Sequence, residues 1–178
     1  MLTTMETPSL HSGMRHQVYW ITKRIAQGQF ATEERSRYLR SQGITHILNV
    51  GESPSIVTAE EYGFRSVRDC PTPDFRRLPE AATLASLDAL HEMLSEADSK
   101  VYVHCVAGQN RSPTILWLYF VACGMSQDAA KHLITSHTMD AVPGHPQLVD
   151  DRLVAAVVAH SSERFMPLGD PDILTPAY

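Results

Sequence analysis

Scarcity is informative in this 178-residue sequence, because each missing feature excludes a class of protein. Three cysteines without paired spacing cannot form a disulfide framework, so we expect free thiols in a reducing compartment. Basic residues are outnumbered, 15 against 20, and the net charge of -5 argues against nucleic-acid binding through a broad basic face. No apolar run is long enough to cross a bilayer, which predicts a protein without a membrane segment.

The two ends of the chain have little pattern. Residues 1–17 contain neither a basic region nor an apolar core of the kind that secretion signals require, so we expect a cytoplasmic protein. Residues 161–178 contain three prolines and are predicted to be a second tail. One domain is then expected over residues 18–160, which is long enough to bury a core.

Strand and helix patterns alternate through this domain. Thr32 is a good N-cap and Gly43 a good stop for a helix, and the apolar run 44–50 that follows is typical of a buried strand. Leucines recur at helical spacing between residues 79 and 97. Further strand patterns begin near residues 64 and 100, and further helix patterns near residues 113, 126 and 146. The order predicts an α/β fold with a mainly parallel sheet covered by helices on its faces.

One short stretch, VHCVAGQNRSP, carries the chemistry. Ser112 is a good N-cap and Pro113 a good first helical residue, which predicts a helix that starts directly after Arg111. Backbone N–H groups before such a helix converge on an anion, and Gly108 permits the close approach that this needs. The guanidinium of Arg111 can bind two phosphate oxygens at once. The predicted phosphate-binding loop consists of Val106, Ala107, Gly108, Gln109, Asn110 and Arg111.

Cys105 lies at the base of this loop, where N–H dipoles and Arg111 favour the thiolate form. A thiolate beside a bound phosphate is a nucleophile for phosphoryl transfer. His104 is a candidate for fixing the loop and the protonation of the thiol. Loss of the substrate's oxygen also requires a proton donor.

The proline-rich segment DCPTPDF offers two such donors, with Asp69 as the first candidate and Asp74 as the second. Cys70 adjoins Asp69, and a reversible disulfide between Cys70 and Cys105 is a hypothesis. Cys123 lies in an apolar helix pattern and is predicted to be a core residue. No histidine spacing typical of a zinc site occurs, so no metal is expected.

HCVAGQNRS resembles the active-site motif of the dual-specificity protein phosphatase family, within the cysteine-dependent protein tyrosine phosphatase superfamily. ITHILNVGES is similar to that family's early strand, and DCPTPDF to its general-acid loop. The resemblance covers roughly residues 18–160. It implies a central, mostly parallel sheet of four to five strands with helices on both sides. It also implies that Cys105 takes the phosphoryl group while Asp69 protonates the leaving oxygen, and that Asp69 then activates water to hydrolyse the phosphocysteine. The Ser112 hydroxyl would stabilise the departing thiolate, and no cofactor would take part.

The expected activity is hydrolysis of phosphotyrosine, with phosphoserine and phosphothreonine as further substrates, on a phosphorylated protein or a small phosphate ester. The loop between Cys105 and Arg111 holds no lysine, which favours a singly phosphorylated substrate. Two alternatives stay open: a phosphatase acting on a nucleotide, an RNA 5' end, a sugar or a lipid phosphate, and an inactive phosphate-binding module. The sequence gives no indication of the oligomeric state.

The stretch HTMDAVPGHPQL departs from the family pattern. Many members have a Pro-Asn turn before the last helix, whereas Gly144 and His145 occupy about that place here. A supporting contact from this turn to the phosphate-binding loop is therefore in question.

Overall fold

The computed structural model of the protein describes residues 10–165 and 170–178. The helices are α1 (Leu10–His16), α2 (Glu33–Ser41), α3 (Ala59–Tyr62), α4 (Glu80–Ser95), α5 (Arg111–Ala122), α6 (Gln127–Thr135) and α7 (Asp151–Arg164), and a 3₁₀ turn covers Pro171–Ile173. The strands are β1 (Val18–Trp20), β2 (Ile25–Gly28), β3 (His46–Asn49), β4 (Ser66–Asp69) and β5 (Val101–His104).

The five strands of this part of the chain form one sheet in the order β1-β2-β5-β3-β4. Only the β1–β2 pair is antiparallel; β2, β5, β3 and β4 run parallel to their neighbours. The predicted α/β fold with a mainly parallel sheet is therefore confirmed. No sequence pattern predicted β1 and β2, which are short and contain the polar Gln27.

Alternating side chains of the central strands pack into two separate apolar clusters, one on each face of the sheet. On one face Leu48 and Val103 pack with the apolar side chains of α4, α5 and α7. On the other face Ile47 and Tyr102 pack against α2 and its neighbours. All four residues of β3 and of β5 are buried, as expected for parallel strands that are covered by helices on both sides.

The register brings the candidate site residues to one edge of the sheet. Asn49 at the end of β3 pairs with Asp69 on one side and with His104 on the other. Gly28 at the end of β2 is the other neighbour of His104. Because these are the carboxyl ends of parallel strands, the loops that follow them, including the one that starts at Cys105, meet in the same place.

Parts of both predicted tails have defined structure. Residues 10–16 form α1, and residues 170–178 lie along the β1–β2 connection, where Lys23 N–H donates to Thr175 O at 3.0 Å and Thr22 bridges to Pro176. Residues 1–9 and 166–169 of these tails lie outside the described residues. The domain boundaries stay predictions. Among the described residues, no helix has both the length and the apolarity to cross a membrane.

Arg24 fastens the last described segment to the domain. Its buried guanidinium donates to three backbone carbonyls around the end of α4 and to the Asp170 carboxylate at 2.5 Å. The neighbouring Lys23 makes only an exposed ion pair with Asp172, at 3.2 Å. A buried donor set of this kind leaves several acceptors unpaired when it is removed.

We expect Arg24→Met to lower the free energy of unfolding by about 3 kcal/mol or more, because the buried carbonyls lose their donors. The matched change Lys23→Met should cost less than about 1 kcal/mol, because its ion pair is exposed. Urea denaturation of both variants measures the difference. Equal losses in the two variants would contradict this role for Arg24.

Candidate active site

The phosphate-binding loop connects the end of β5 to the start of α5. Gly108 has a left-handed backbone, with φ of 73°, and a Cβ there would lie 2.6 Å from the carbonyl carbon of Gly28. Only glycine meets both conditions, because other residues rarely adopt this φ and no room exists for a side chain. The close approach lets the loop fold inward, and Gly108 N–H points at the Cys105 sulfur, with N to Sγ at 3.3 Å.

The helix start differs from the prediction. α5 begins at Arg111 with Asn110 as its N-cap, whereas the sequence predicted Ser112 as N-cap and Pro113 as the first helical residue. The cap prediction was wrong because the Ser112 side chain does not turn back to the helix backbone. It points into the protein, where Oγ lies 3.4 Å from the Cys105 Sγ and donates to Gln27 Oε1 at 3.0 Å.

Cys105 lies at the floor of this loop and is only 2% exposed. Its sulfur accepts the Gly108 N–H and contacts the Ser112 hydroxyl. The Gly108 N–H stabilises a negatively charged sulfur, because it directs a hydrogen at it. The Ser112 hydroxyl donates to Gln27 but lies within reach of the sulfur. The arrangement therefore fits a thiolate nucleophile below a bound anion.

Arg111 is almost completely buried although it carries a charge, with 3% of its surface exposed. Nη1 donates to Thr72 O at 3.0 Å, and Nη2 forms an ion pair with Asp74 Oδ2 at 3.2 Å. Nε is buried and has no hydrogen-bond partner among the described residues. A buried guanidinium with a spare donor is suited to an incoming anion, since a phosphate could take up the unused N–H.

The two candidate acids have different surroundings. Asp74 lies at the Arg111 guanidinium, beside the phosphate-binding loop. Asp69 is instead held at the end of β4, where its carboxylate accepts from the Ser55 hydroxyl at 2.6 Å and from Asn49 Nδ2 at 3.0 Å. The structure thus places Asp74 at the buried cation and Asp69 against the loop after β3, and which of the two is the proton donor stays a prediction.

His104 supports the backbone of the nucleophile. Its Nδ1 donates to Cys105 O at 2.9 Å, and the ring lies against Phe30 and Tyr102. Burial lowers the pKa of His104 to about 4, so the imidazole is neutral at physiological pH. A neutral ring that donates through Nδ1 carries no proton on Nε2, which excludes His104 as an acid toward the substrate.

Sequence reasoning missed two buried amides next to the site. Asn49 donates to Asp69 and to Ser53 O, and its own oxygen accepts the Gly51 N–H at 2.9 Å. Gln27 contacts Ser112. Asn49 could have been found in the sequence, because it is a polar residue at the end of an apolar strand pattern. In parallel sheets such residues lie at the carboxyl edge, where ligands bind.

The segment after α6 does contact the phosphate-binding loop. Val142 N–H donates to Gln109 O at 2.8 Å, and Gly144 N–H donates to Thr114 Oγ1 at 3.2 Å. The missing Pro-Asn turn therefore does not remove the support, because backbone groups provide it. The segment also completes a rim of exposed apolar side chains around the loop, namely Phe75, Val106 and Val142.

The hypothetical disulfide between Cys70 and Cys105 is not formed in this structure, where both thiols are free, and it stays a prediction that the sheet geometry disfavours. Asp69 and His104, which precede the two cysteines, lie on opposite sides of Asn49 in β3. Two strand spacings amount to about 10 Å, whereas a disulfide needs Cα atoms within about 7 Å. Burial also raises the pKa of the Cys70 thiol, which keeps it protonated.

The site consists of a strand, an anion-binding loop and a helix, with a cysteine on the loop floor and a buried arginine at the end of the loop. This arrangement defines the class of cysteine-dependent phosphatases. Residues 27–145 match the family model for the dual specificity phosphatase catalytic domain. The chain belongs to this family, and the resemblance seen in the sequence is confirmed.

Relatives and solved structures agree with this membership. The chain is 37% identical over 90 residues to dual specificity protein phosphatase 26 of Rattus norvegicus, covering 48% of this chain and 42% of the relative. It is 31% identical over 121 residues to the Homo sapiens protein of that name, covering 65% and 53%. The chain thus spans about half the length of these relatives.

Three crystal structures show the same fold at low sequence identity. The structure of DUSP15 has a TM-score of 0.66 at 19% identity, covering 84% of this chain and 97% of the other. That of Tk-PTP in the active form has a TM-score of 0.60 at 21% identity, covering 84% and 98%. That of PTPMT1 has a TM-score of 0.63 at 15% identity, covering 82% and 94%.

We expect the burial of His104 to make stability depend on pH. The pKa of His104 in the folded protein, about 4, lies below its ordinary value of 6.5, so between these pH values the unfolded chain binds more protons. Stability is complete above pH 6.5 and falls as the pH drops toward 4, by up to about 3 kcal/mol.

His104→Gln should flatten this decline in urea denaturation curves recorded between about pH 7 and 4.5. The exposed His132, changed to Gln, is the control and should leave the decline as steep as in the unaltered protein. A decline of the same steepness in His104→Gln would show that another group is responsible.

Proposed function

We propose that this protein is a cysteine-dependent phosphatase that hydrolyses phosphate monoesters on proteins, phosphotyrosine above all. The buried guanidinium of Arg111 is the observation that carries the proposal. It lies at the end of the loop that starts at Cys105, keeps one N–H without a partner among the described residues, and binds Thr72 and Asp74 of the neighbouring loop.

In the first step the thiolate of Cys105 attacks phosphorus and forms an S–P bond. The P–O bond to the substrate breaks, and the leaving oxygen takes a proton from the Asp74 carboxyl group. Backbone N–H groups of residues 106–111 and the Arg111 guanidinium stabilise the charge on the phosphoryl oxygens. Asp74 is preferred to Asp69 because its ion pair with Arg111 brings it to the phosphate-binding loop.

In the second step water hydrolyses the phosphocysteine. The Asp74 carboxylate, now without its proton, takes one from the water as the water oxygen attacks phosphorus. The P–S bond breaks, and its electron pair returns to the Cys105 sulfur, next to the Ser112 hydroxyl and the Gly108 N–H. Inorganic phosphate leaves, and both the thiolate and the protonated acid are restored.

Asp69 and His104 act on the frame of the site. Asp69 and Asn49 hold the loop after β3 through Ser55. His104 fixes the Cys105 carbonyl and thereby the start of the phosphate-binding loop. Both are positioning residues, since neither reaches the substrate in this scheme.

The surroundings of the loop favour an aromatic phosphate ester on a peptide. Phe75 is 74% exposed and follows Asp74, and Val106 and Val142 are also exposed beside the loop. An apolar rim around an anion site suits a phenyl ring and the side chains next to it. Residues 106–110 contain no lysine or arginine for a second phosphate, which supports a singly phosphorylated substrate.

The same chemistry sets the conditions for activity. Arg111 and the loop N–H groups neutralise the phosphate, so we expect no metal and no cofactor to be needed. The Cys105 thiol must stay reduced, which fits a reducing, cytoplasmic compartment.

Aryl phosphates with leaving groups of increasing basicity test the mechanism, in the presence of a chelator. Cys105→Ser should reduce hydrolysis to background. Asp74→Asn should lower kcat/KM by about 100- to 10,000-fold for poor leaving groups and much less for good ones, because only a poor leaving group needs the proton. Asp69→Asn is the matched control, and its smaller loss should be the same for every leaving group.

A leaving-group dependence in Asp69→Asn instead of Asp74→Asn would assign the acid to Asp69. Phosphotyrosine peptides should be hydrolysed faster than phosphoinositides and nucleotides at equal concentration; the reverse order would mean a non-protein substrate. An inactive protein that still binds vanadate, and loses it in Arg111→Lys, would be a phosphate-binding module and not an enzyme.

A further inference from the structure

Gln27 is a buried amide in β2 that the proposed reaction leaves without a role. It is completely buried, and its side chain lies on the face of the sheet that α5 covers. Burying an amide is unfavourable unless its hydrogen bonds are made, so a buried glutamine in a strand needs partners for both its oxygen and its nitrogen. Both of its partners belong to the surroundings of the active site, Ser112 on α5 and Thr138 after α6.

Gln27, Ser112 and Cys105 form a short chain of contacts. Gln27 Oε1 accepts the Ser112 hydroxyl at 3.0 Å, and the same oxygen of Ser112 lies 3.4 Å from the Cys105 Sγ. At the other end, Gln27 Nε2 donates to Thr138 Oγ1 at 3.2 Å. All four of these residues are buried. Because Ser112 is shielded from bulk solvent, its hydroxyl proton can go either to Gln27 or to the sulfur.

Counting protons shows why this choice affects the reaction. Ser112 has one hydroxyl proton, and in this arrangement it goes to Gln27, which leaves an Oγ lone pair toward the sulfur. That suits a thiol, whose S–H can donate to Oγ. A departing thiolate can only accept, so it needs the proton of Ser112 turned toward it.

A half-turn of the Gln27 amide solves this conflict without leaving a polar group unpaired. With its NH₂ group toward Ser112, Gln27 donates to Oγ, and the Ser112 hydroxyl is free to donate to the sulfur. Thr138 accommodates both orientations, because its hydroxyl can accept from NH₂ or donate to the amide oxygen. The segment of Thr138 is itself joined to the phosphate-binding loop by Val142 N–H and Gln109 O, at 2.8 Å.

We propose that Gln27 is a positioning residue which, by reversing its amide, turns the Ser112 hydroxyl toward the Cys105 sulfur and so accelerates hydrolysis of the phosphocysteine. In that step the water oxygen bonds to phosphorus, Asp74 takes the water proton, and the P–S electron pair goes to the sulfur, which accepts the Ser112 hydrogen bond. This inference rests on the proposed function, because it concerns the second half of that reaction.

Gln27→Met tests the proposal, since it keeps length and burial but neither donates nor accepts at the end of the side chain. We expect kcat for aryl phosphates to fall about tenfold and to become independent of the leaving group, while kcat/KM stays unchanged. This split follows because kcat/KM ends with formation of the phosphocysteine, whereas Gln27 acts on its breakdown. The fraction of protein trapped as phosphocysteine by acid quench should rise in parallel.

Two further variants separate this role from a loss of packing. Gln27→Glu keeps the shape and accepts from Ser112 but, when ionised, cannot donate, so it should slow the same step. In the Ser112→Ala background Gln27→Met should have no additional effect, because Gln27 acts through that hydroxyl. Gln29→Met is the matched control; Gln29 pairs with Arg35 just beyond β2, and its loss should leave the trapped fraction unchanged.

The results that would contradict the role of Gln27 differ from those that would contradict the proposed function. An equal fall of kcat and kcat/KM in Gln27→Met, or an undiminished effect in the Ser112→Ala background, would mean that Gln27 only supports the fold. Should Gln27→Met give no thermal transition, Gln27→Glu decides: unchanged kcat and unchanged trapping would overturn the proposal. Activity that survives Cys105→Ser would instead overturn the proposed function, and with it this inference.

Discussion

The buried charge of Arg111 is the interaction on which the site depends. A guanidinium at 3% exposure is stable only if its donors are matched, and two of its nitrogens find oxygens of one loop, Thr72 O and Asp74 Oδ2. Because that loop follows β4 whereas Arg111 opens α5, the charge joins two segments that are distant in sequence. Nucleophile, cation and candidate acid come together for this electrostatic reason, and the remaining donor stays ready for an anion.

The parallel sheet supplies the platform for this pair. The parallel strands end together at one edge, and there the side chains change from apolar to polar: Asp69, Asn49 and His104 lie side by side on β4, β3 and β5, and Gln27 lies one residue before the end of β2. Gln27, Asn49 and His104 are completely buried and fixed by specific partners, and Asp69, although exposed, is held by Ser55 and Asn49. These fixed side chains help to hold the sulfur of Cys105 and the hydroxyl of Ser112 at a defined distance.

Much of this could be predicted, and the failures have physical causes. The alternation of apolar runs with capped helices defined the α/β fold, and VHCVAGQNRSP defined the loop. The sequence ranked Asp69 before Asp74, but it could not show which of these two residues of one proline-rich segment contacts Arg111. The position of Ser112 was mispredicted as a cap for a related reason: a serine at a helix start satisfies the local rule whether or not its hydroxyl is turned inward.

The sequence by itself determined the periodic and local features of this protein: that the apolar runs of β3 and β5 become buried strands, where the longer helices of the domain lie, and that a cysteine and an arginine flank an anion-binding loop. These follow from neighbours along the chain. Only the tertiary structure decided which partners those groups have, since a hydrogen bond from Arg111 to Asp74 or from Ser112 to Gln27 depends on distances across the sheet. Burial then makes those partnerships exclusive, because in the absence of water each polar atom has only the neighbours that the fold provides.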